Sequence, residues 1–220
     1  MKIRLAGVLV LALAAGCAPS TGYGTIVGEA PPAPMAPTPS PAPPAPHEVP
    51  TETHTGKGPG GFEVTWPKDQ LGFFTFDCPK CESNVIISTD GGEFGLVNAI
   101  GSYKGTTWLN TYPDQPTKRI TVVADGAWTA TIADYRSVPT AEPGQETKGK
   151  GDAVLRVPAG TASVKFTARS KGNVALWVMT DEMRDLLVNE IGDQDRTVPV
   201  DGPAYLKVDD WEGTWTVTPS

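Results

Sequence analysis

Histidine is nearly missing from this chain: there are two, His47 and His54, and none from Gly56 onward. Both fall in a stretch that reads as tether. A Ser-His-Asp or Cys-His nucleophile pair therefore has no base in the expected folded region. Zinc sites built on imidazole go with it. Basic runs are also lacking. Lys and Arg number 18 against 25 Asp and Glu, a net charge of −7. A phosphate backbone needs clustered cations, so nucleic acid is excluded as a partner. Neither a phosphate-cradling Gly-x-x-x-x-Gly-Lys-Ser/Thr loop nor a dinucleotide-binding glycine fingerprint is present, and no cofactor is expected. Only one long apolar run exists, Leu5 to Ala15. It is too short for a bilayer core, which takes roughly 20 residues.

That run instead fits a secretory leader. Lys2 and Arg4 precede it, and small residues follow in Leu13-Ala14-Ala15-Gly16-Cys17. The site resembles the bacterial lipobox, in which cleavage exposes a lipid-modified cysteine. Residues 1–16 are thus expected to be removed and Cys17 to carry the anchor. Loss of Lys2 and Arg4 takes the net charge to about −9, which an anionic membrane surface would repel. Attachment then falls to the acyl chains, at about 0.8 kcal/mol per buried methylene. Residues 17–55 read as a disordered tether. From Pro31 to Pro50, Pro alternates with Ala, Thr and Ser, and almost no large apolar side chain is available to offset ordering entropy. In polyproline II form such a segment reaches on the order of 100 Å.

The remainder contains an internal repeat. Gly56-Lys57-Gly58 matches Gly149-Lys150-Gly151, each expected to open a strand ending at Val64 or Val157. Asn84-Val85-Ile86-Ile87 matches Asn173-Val174-Ala175-Leu176. Leu96-Val97-Asn98-Ala99-Ile100-Gly101 matches Leu187-Val188-Asn189-Glu190-Ile191-Gly192, and Thr106 matches Thr197. Asp125-Gly126-Ala127-Trp128-Thr129 matches Glu212-Gly213-Thr214-Trp215-Thr216. Within each copy the apolar period is two: Ile120, Val122 and Ala124, or Trp128, Ala130 and Ile132, alternate with their neighbours. About seven short strands per copy, separated by Gly-rich turns, predict an all-β chain of two tandem antiparallel β-sandwiches. Residues 56–140 form the first, 141–148 a linker, and 149–220 the second. The stretch from Asp181 to Asn189 has some helical character, but its match to the first copy predicts loop and strand. The pattern Leu-Leu-Val-Asn-x-Ile-Gly followed by Asp-Gly-x-Trp-Thr resembles a β-rich module of secreted and lipid-anchored proteins of Gram-positive bacteria, actinobacteria above all. The resemblance covers roughly residues 56–135 and 149–219 and is closer in the second copy. It implies a sandwich in an extracellular setting and carries over no catalytic residue.

Few residues have chemical character. Cys78-Pro79-Lys80-Cys81 reads first as a structural disulfide in an oxidising compartment, with redox or metal roles as alternatives. No second ligand pair completes a zinc site, and no metal is expected. Asp193-Gln194-Asp195 reads as a solvated acidic turn rather than a calcium site. Asp181, Glu182, Asp185, Asp193, Asp195, Asp209 and Asp210 are candidates for carboxylate chemistry by type alone. Trp128 and Trp215 are expected in the core. Trp66, Trp108 and Trp211 lie nearer turns, and Trp108 and Trp211 are the candidate ligand-binding aromatics. The functional expectation is a non-enzymatic surface lipoprotein that binds an envelope protein or polysaccharide. A thiol-disulfide protein using Cys78 and Cys81, or a passive envelope component, are the alternatives.

Overall fold

The structure is a computed structural model that describes residues 47–181, 183–210 and 212–220. The described residues belong to one compact unit. Its strands are β1 (Glu52–Lys57), β2 (Gly60–Glu63), β3 (Gly72–Cys78), β4 (Asn84–Thr89), β5 (Gly95–Ile100), β6 (Tyr103–Leu109), β7 (Arg119–Val123) and β8 (Ala127–Ala133). The second set is β9 (Thr147–Lys150), β10 (Ala153–Val157), β11 (Ser163–Arg169), β12 (Asn173–Met179), β13 (Arg184–Ile191), β14 (Gln194–Pro199), β15 (Ala204–Asp209) and β16 (Thr214–Pro219). They form four antiparallel sheets of four strands each. The first sandwich pairs β1-β8-β3-β6 with β2-β7-β4-β5. The second pairs β9-β16-β11-β14 with β10-β15-β12-β13. Adding eight to each strand number of the first sandwich reproduces the strand order of the second.

The fold is all-β, as the alternation predicts, with eight strands per sandwich rather than seven. The expected strand from Gly56 to Val64 is two strands in two different sheets. Gly58 has φ +74° and its counterpart Gly151 has φ +73°. An L side chain resists that region, so glycine lets the chain cross from one sheet to the other. The tether boundary at residue 55 moves as well, because β1 begins at Glu52 and pairs with β8 along its length. Its inward positions are Glu52, His54 and Gly56, which give no apolar alternation to read. Instead His54 stacks on Phe62 with ring centroids 3.8 Å apart. The Glu52 carboxylate accepts from the Thr65 amide and hydroxyl and shares a 2.7 Å bond with His54 Nε2. The expected linker is also partly built in: Ala141 is fully buried in the second core, and β9 starts at Thr147. Of the stretch from Asp181 to Asn189, residues 184–189 lie in β13, as the repeat predicts.

One arrangement recurs at the base of each core. In the first sandwich Gly56 pairs with Trp128, whose indole lies across it. A β-carbon on Gly56 would stand 2.3 Å from the ring. Trp128 Nε1 donates to the Gly58 carbonyl at 3.0 Å, and the Gly58 amide donates to the Gly126 carbonyl at 2.9 Å. In the second sandwich a β-carbon on Gly149 would stand 2.0 Å from the Trp215 ring. Trp215 Nε1 donates to the Gly151 carbonyl at 2.8 Å, and the Gly151 amide donates to the Gly213 carbonyl at 3.0 Å. Trp128 and Trp215 are buried, as expected.

The chain enters the first sandwich under a polar clamp. Val49 packs on the core while its amide donates to Asp134 Oδ2 at 2.9 Å. Arg136 donates to both Asp134 oxygens and to Glu48. The Arg136 hydrogen bond, followed by the backbone donors, outweighs burial and holds the Asp134 carboxyl down to about 2.

Trp128→Ala or Trp215→Ala should each cost about 3–5 kcal/mol in denaturant unfolding. Gly149→Ala should approach that loss, because the indole must leave its seat to admit the methyl group. Wild-type stability in Gly149→Ala would remove this interaction from the account of the fold. The Asp134 pKa is depressed from an unfolded value near 3.9, so its contribution is complete above about pH 4 and is lost as pH falls toward 2. Asp134→Asn should flatten the acid limb of a stability-versus-pH curve over that window.

Candidate functional site

Most strands here alternate, but β3, β6, β10 and β12 do not. Phe73 and Phe74 on β3 are both buried, and on β12 Trp177 follows buried Leu176. Consecutive large apolar side chains on a strand mean that both faces are covered. Phe73 turns away from the first core and joins Val138 and Val154 in a third apolar cluster, packed by Leu71, Tyr135 and Tyr205. The Phe73 and Tyr205 rings lie 4.9 Å apart. Phe73 belongs to the first sandwich and Val154 and Tyr205 to the second, so the two sandwiches are packed together.

Polar contacts extend this seam. Lys207 Nζ stands 5.2 Å from the Trp108 ring centre and 5.5 Å from that of Trp177, while it pairs with Asp209 at 2.9 Å. The Lys207 side chain is only 15% exposed. A cation so placed is held by the ring quadrupoles of an indole from each sandwich. Arg184 donates to the Thr111 and Tyr112 hydroxyls, with its guanidinium 4.2 Å from the Tyr112 ring centre. Asp152 ties β6 to the end of β15 through three hydrogen bonds. Its Oδ2 accepts from the Tyr103 hydroxyl at 2.8 Å, its Oδ1 from the Asp210 amide at 2.8 Å, and its carbonyl from the Thr106 amide at 3.1 Å. Gly105 makes room: a β-carbon there would lie 2.4 Å from the Tyr103 oxygen. Burial pushes both the Asp152 carboxyl and the Tyr103 hydroxyl above their ordinary ranges.

Beside these contacts runs a groove. A cavity of about 460 Å³ is walled on one side by Gly95, Leu96, Val97 and Asn98 of β5. Across from them stand Gly172, Asn173, Lys207, Asp209, Asp210 and Glu212 of the second sandwich. A cavity of about 170 Å³ shares Gly95, Leu96 and Lys207 with it and continues toward Trp177, Tyr112 and Glu93. Asp210 is 2% exposed. Its Oδ1 accepts from the Ser170 hydroxyl at 2.7 Å and the Gly213 amide at 3.0 Å, and its Oδ2 has no partner. Burial raises this carboxyl too.

These placements revise the aromatic candidates. Trp108 is 4% exposed: it builds the seam and also lines the smaller cavity. It pairs across the sheet with Phe73, and Lys207 meets its outer face. Trp66 is also buried and donates to the Gln70 carbonyl. Trp211 and Cys17 lie outside the described residues. Of the residues that build the seam, Trp177, Lys207 and Tyr103 carry no motif, while Asp152 completes the Gly149-Lys150-Gly151-Asp152 pattern. Two readable signals were Trp177 standing directly after an inward-facing Leu and Phe73 directly before an inward-facing Phe.

Other candidates resolve individually. His54 lies in β1, not in a tether, and Glu52 sits between it and the Thr65 hydroxyl. The carboxylate therefore separates the imidazole from the hydroxyl, the reverse of the order that activates a nucleophile. Among the described residues no group of three or more His, Cys, Asp or Glu is placed to hold a metal ion. Asp193 is taken by Arg169 and the Ser170 amide, and Asp195 by Lys165. Cys78 and Cys81 form a disulfide, with 0% and 3% exposure. The Asp125 carboxylate accepts the Glu82 and Ser83 amides just beyond the bridge, and the Gly126 turn packs over the Cys78 sulfur.

No family model matches the chain, and no curated protein does. Among solved structures, the CUB1-EGF-CUB2 region of human MASP-1/3 is similar over 77% of this chain and 99% of its own, at 7% identity and TM-score 0.27. A conserved protein of unknown function from Pseudomonas aeruginosa PAO1 is similar over 77% and 82%, at 11% identity and TM-score 0.25. Likenesses this distant carry no argument about function.

Burial of both sulfurs yields a prediction. In the native chain the Cys78–Cys81 bridge should resist a mild dithiol, and both thiols should alkylate only after denaturation. Rapid reduction of the folded chain would instead favour a redox role.

Proposed function

We propose that the chain is a surface lipoprotein, anchored through Cys17, whose joined sandwiches bind a component of the cell envelope without transforming it. The lipobox-like sequence and the Pro/Ala-rich segment behind it support the address. The seam groove supports binding. Residues from both sandwiches wall it, and the contacts beside it fix their spacing: the Phe73 cluster, Lys207 between two indoles, and Asp152 under Tyr103. A site walled by two elements that do not shift loses little ordering entropy on binding. The burial of Cys78 and Cys81 supports a structural bridge over a working thiol pair.

The experiment is capture by the full chain from detergent-solubilised envelope and from purified wall polysaccharide. It is run beside Asn173→Trp, which fills the groove from an exposed position. Saturable capture of one component, lost in Asn173→Trp, is expected. Capture of nothing from either source would sink the binding reading. Cys17→Ala should shift the chain from the membrane fraction to the soluble one, and membrane retention would remove the lipid anchor.

A further inference from the structure

We propose that the open edge of β5 takes up an extended peptide as a fifth strand of its sheet, with a basic side chain of that peptide held over the carboxylates of the seam groove. The inference rests on the reading that the groove is the binding site, and it names the ligand.

The edge is the first observation. β5 has one neighbour, β4, and its other side carries unpaired backbone donors and acceptors. Gly95 to Asn98 line the groove, a run of about 13 Å at about 3.3 Å per residue, with the Gly95 amide donating to the Glu93 carbonyl at its start. Proteins ordinarily guard such edges with charge or proline. The counterpart β13 is guarded: it carries Arg184, Asp185 and Glu190, and Glu190 is tied to Arg196. Gly-Leu-Val-Asn-Ala-Ile in β5 has no charged residue and no proline. Large apolar side chains stand exposed at both ends, Phe94 at 73% and Ile100 at 61%. An unguarded edge is a template for strand addition.

The groove wall opposite selects the occupant. Asp209, Asp210 and Glu212 face one cation there, Lys207, which Asp209 already holds. Asp210 is almost wholly buried, with its unpartnered Oδ2 against Gly213, so it adds negative potential behind the wall while Asp209 and Glu212 meet the occupant. The local surplus is negative, so a basic strand is favoured over a second copy of this acidic chain.

The probes are short labelled peptides that alternate Thr and Val around one central residue, which is Lys in the first and Glu in the second. A third keeps Lys but replaces the flanking Val residues by Pro, which cannot donate to a ladder. Anisotropy with the full chain gives affinity, and amide hydrogen exchange reports on Gly95–Ile100. The Lys peptide should bind saturably and slow exchange over β5. The Glu and Pro peptides should bind about tenfold more weakly or worse, since repulsion or lost ladder bonds oppose them. Glu212→Lys should weaken the Lys peptide about tenfold at unchanged melting temperature, because it reverses an exposed charge at the rim. Unslowed exchange over β5 with every peptide would overturn the proposal, as would equal binding of the Glu peptide. Slowed exchange from concentration-dependent dimerisation alone would assign the edge to a second copy and overturn it too. Envelope capture that leaves β5 exchanging freely would discard this inference but keep the surface-binding function. Peptide binding without envelope capture would do the reverse.

Discussion

The indole laid across a glycine, with its N–H on the carbonyl of the glycine two residues later, is the contact on which each sandwich depends. A sandwich needs its two sheets held at a fixed separation while the chain passes between them. Gly58 and Gly151 turn that corner in a conformation only glycine adopts freely. Such a corner has little side-chain mass to hold it. Trp128 and Trp215 supply the mass from the last strand of each copy, and their N–H groups satisfy the corner carbonyls. First and last strands thereby become neighbours, so the sheet closes only after the whole copy is present. The repeated Gly-Lys-Gly and Gly-x-Trp-Thr motifs are the two halves of one contact.

That contact explains why so much of the fold was legible. Strict alternation placed Ile120, Val122, Trp128, Ala130 and Ile132 in the core, and they are buried there. What alternation missed shares a physical cause. β1 turns Glu52, His54 and Gly56 inward, so its inner face is satisfied by hydrogen bonds and a stacked ring instead of apolar burial. No hydrophobic pattern exists there to be read. The surroundings of Trp108 were out of reach because sequence gives strand and face but not what stands against the outer face. The groove was illegible for the same reason, since its walls meet only through packing of one sandwich on the other.

The carboxylates separate structural from uneasy positions. Asp90, Asp125 and Asp134 cap backbone amides, and hydrogen bonding lowers each one. Their contribution to stability is present above the unfolded pKa and fades in acid. Asp152 and Asp210 lie at the seam and are raised, with desolvation the largest cause in both. For a raised carboxyl the sign reverses: folding must retain a proton or bury a charge, so stability falls as pH rises through the unfolded pKa toward the folded one. Asp210, with one oxygen unpartnered, has the least compensation. A chain that keeps such groups beside an open groove accepts a local cost that a core of this quality does not require.

The two copies also differ where their similarity would cause trouble. Two like sandwiches that dock by unlike faces leave one copy of each face free, and repetition of the contact would build a chain of molecules. The strand registers show how this is prevented. Phe73, on the face that receives the second sandwich, corresponds to Ser163 in the second copy, and Trp108 corresponds to Pro199. On the opposing face Trp177, Tyr205 and Lys207 correspond to Ser88, Arg119 and Thr121 in the first copy. Each large docking side chain has a small, polar or ladder-breaking counterpart on the face left open, so the association stops at one seam. The edges follow the same division, since β13 is charged where β5 is not. Repetition built the scaffold, and the same residues take a second role where the copies meet. Leu96, Val97 and Asn98 build β5 as Leu187, Val188 and Asn189 build β13, but only the first set lines the groove.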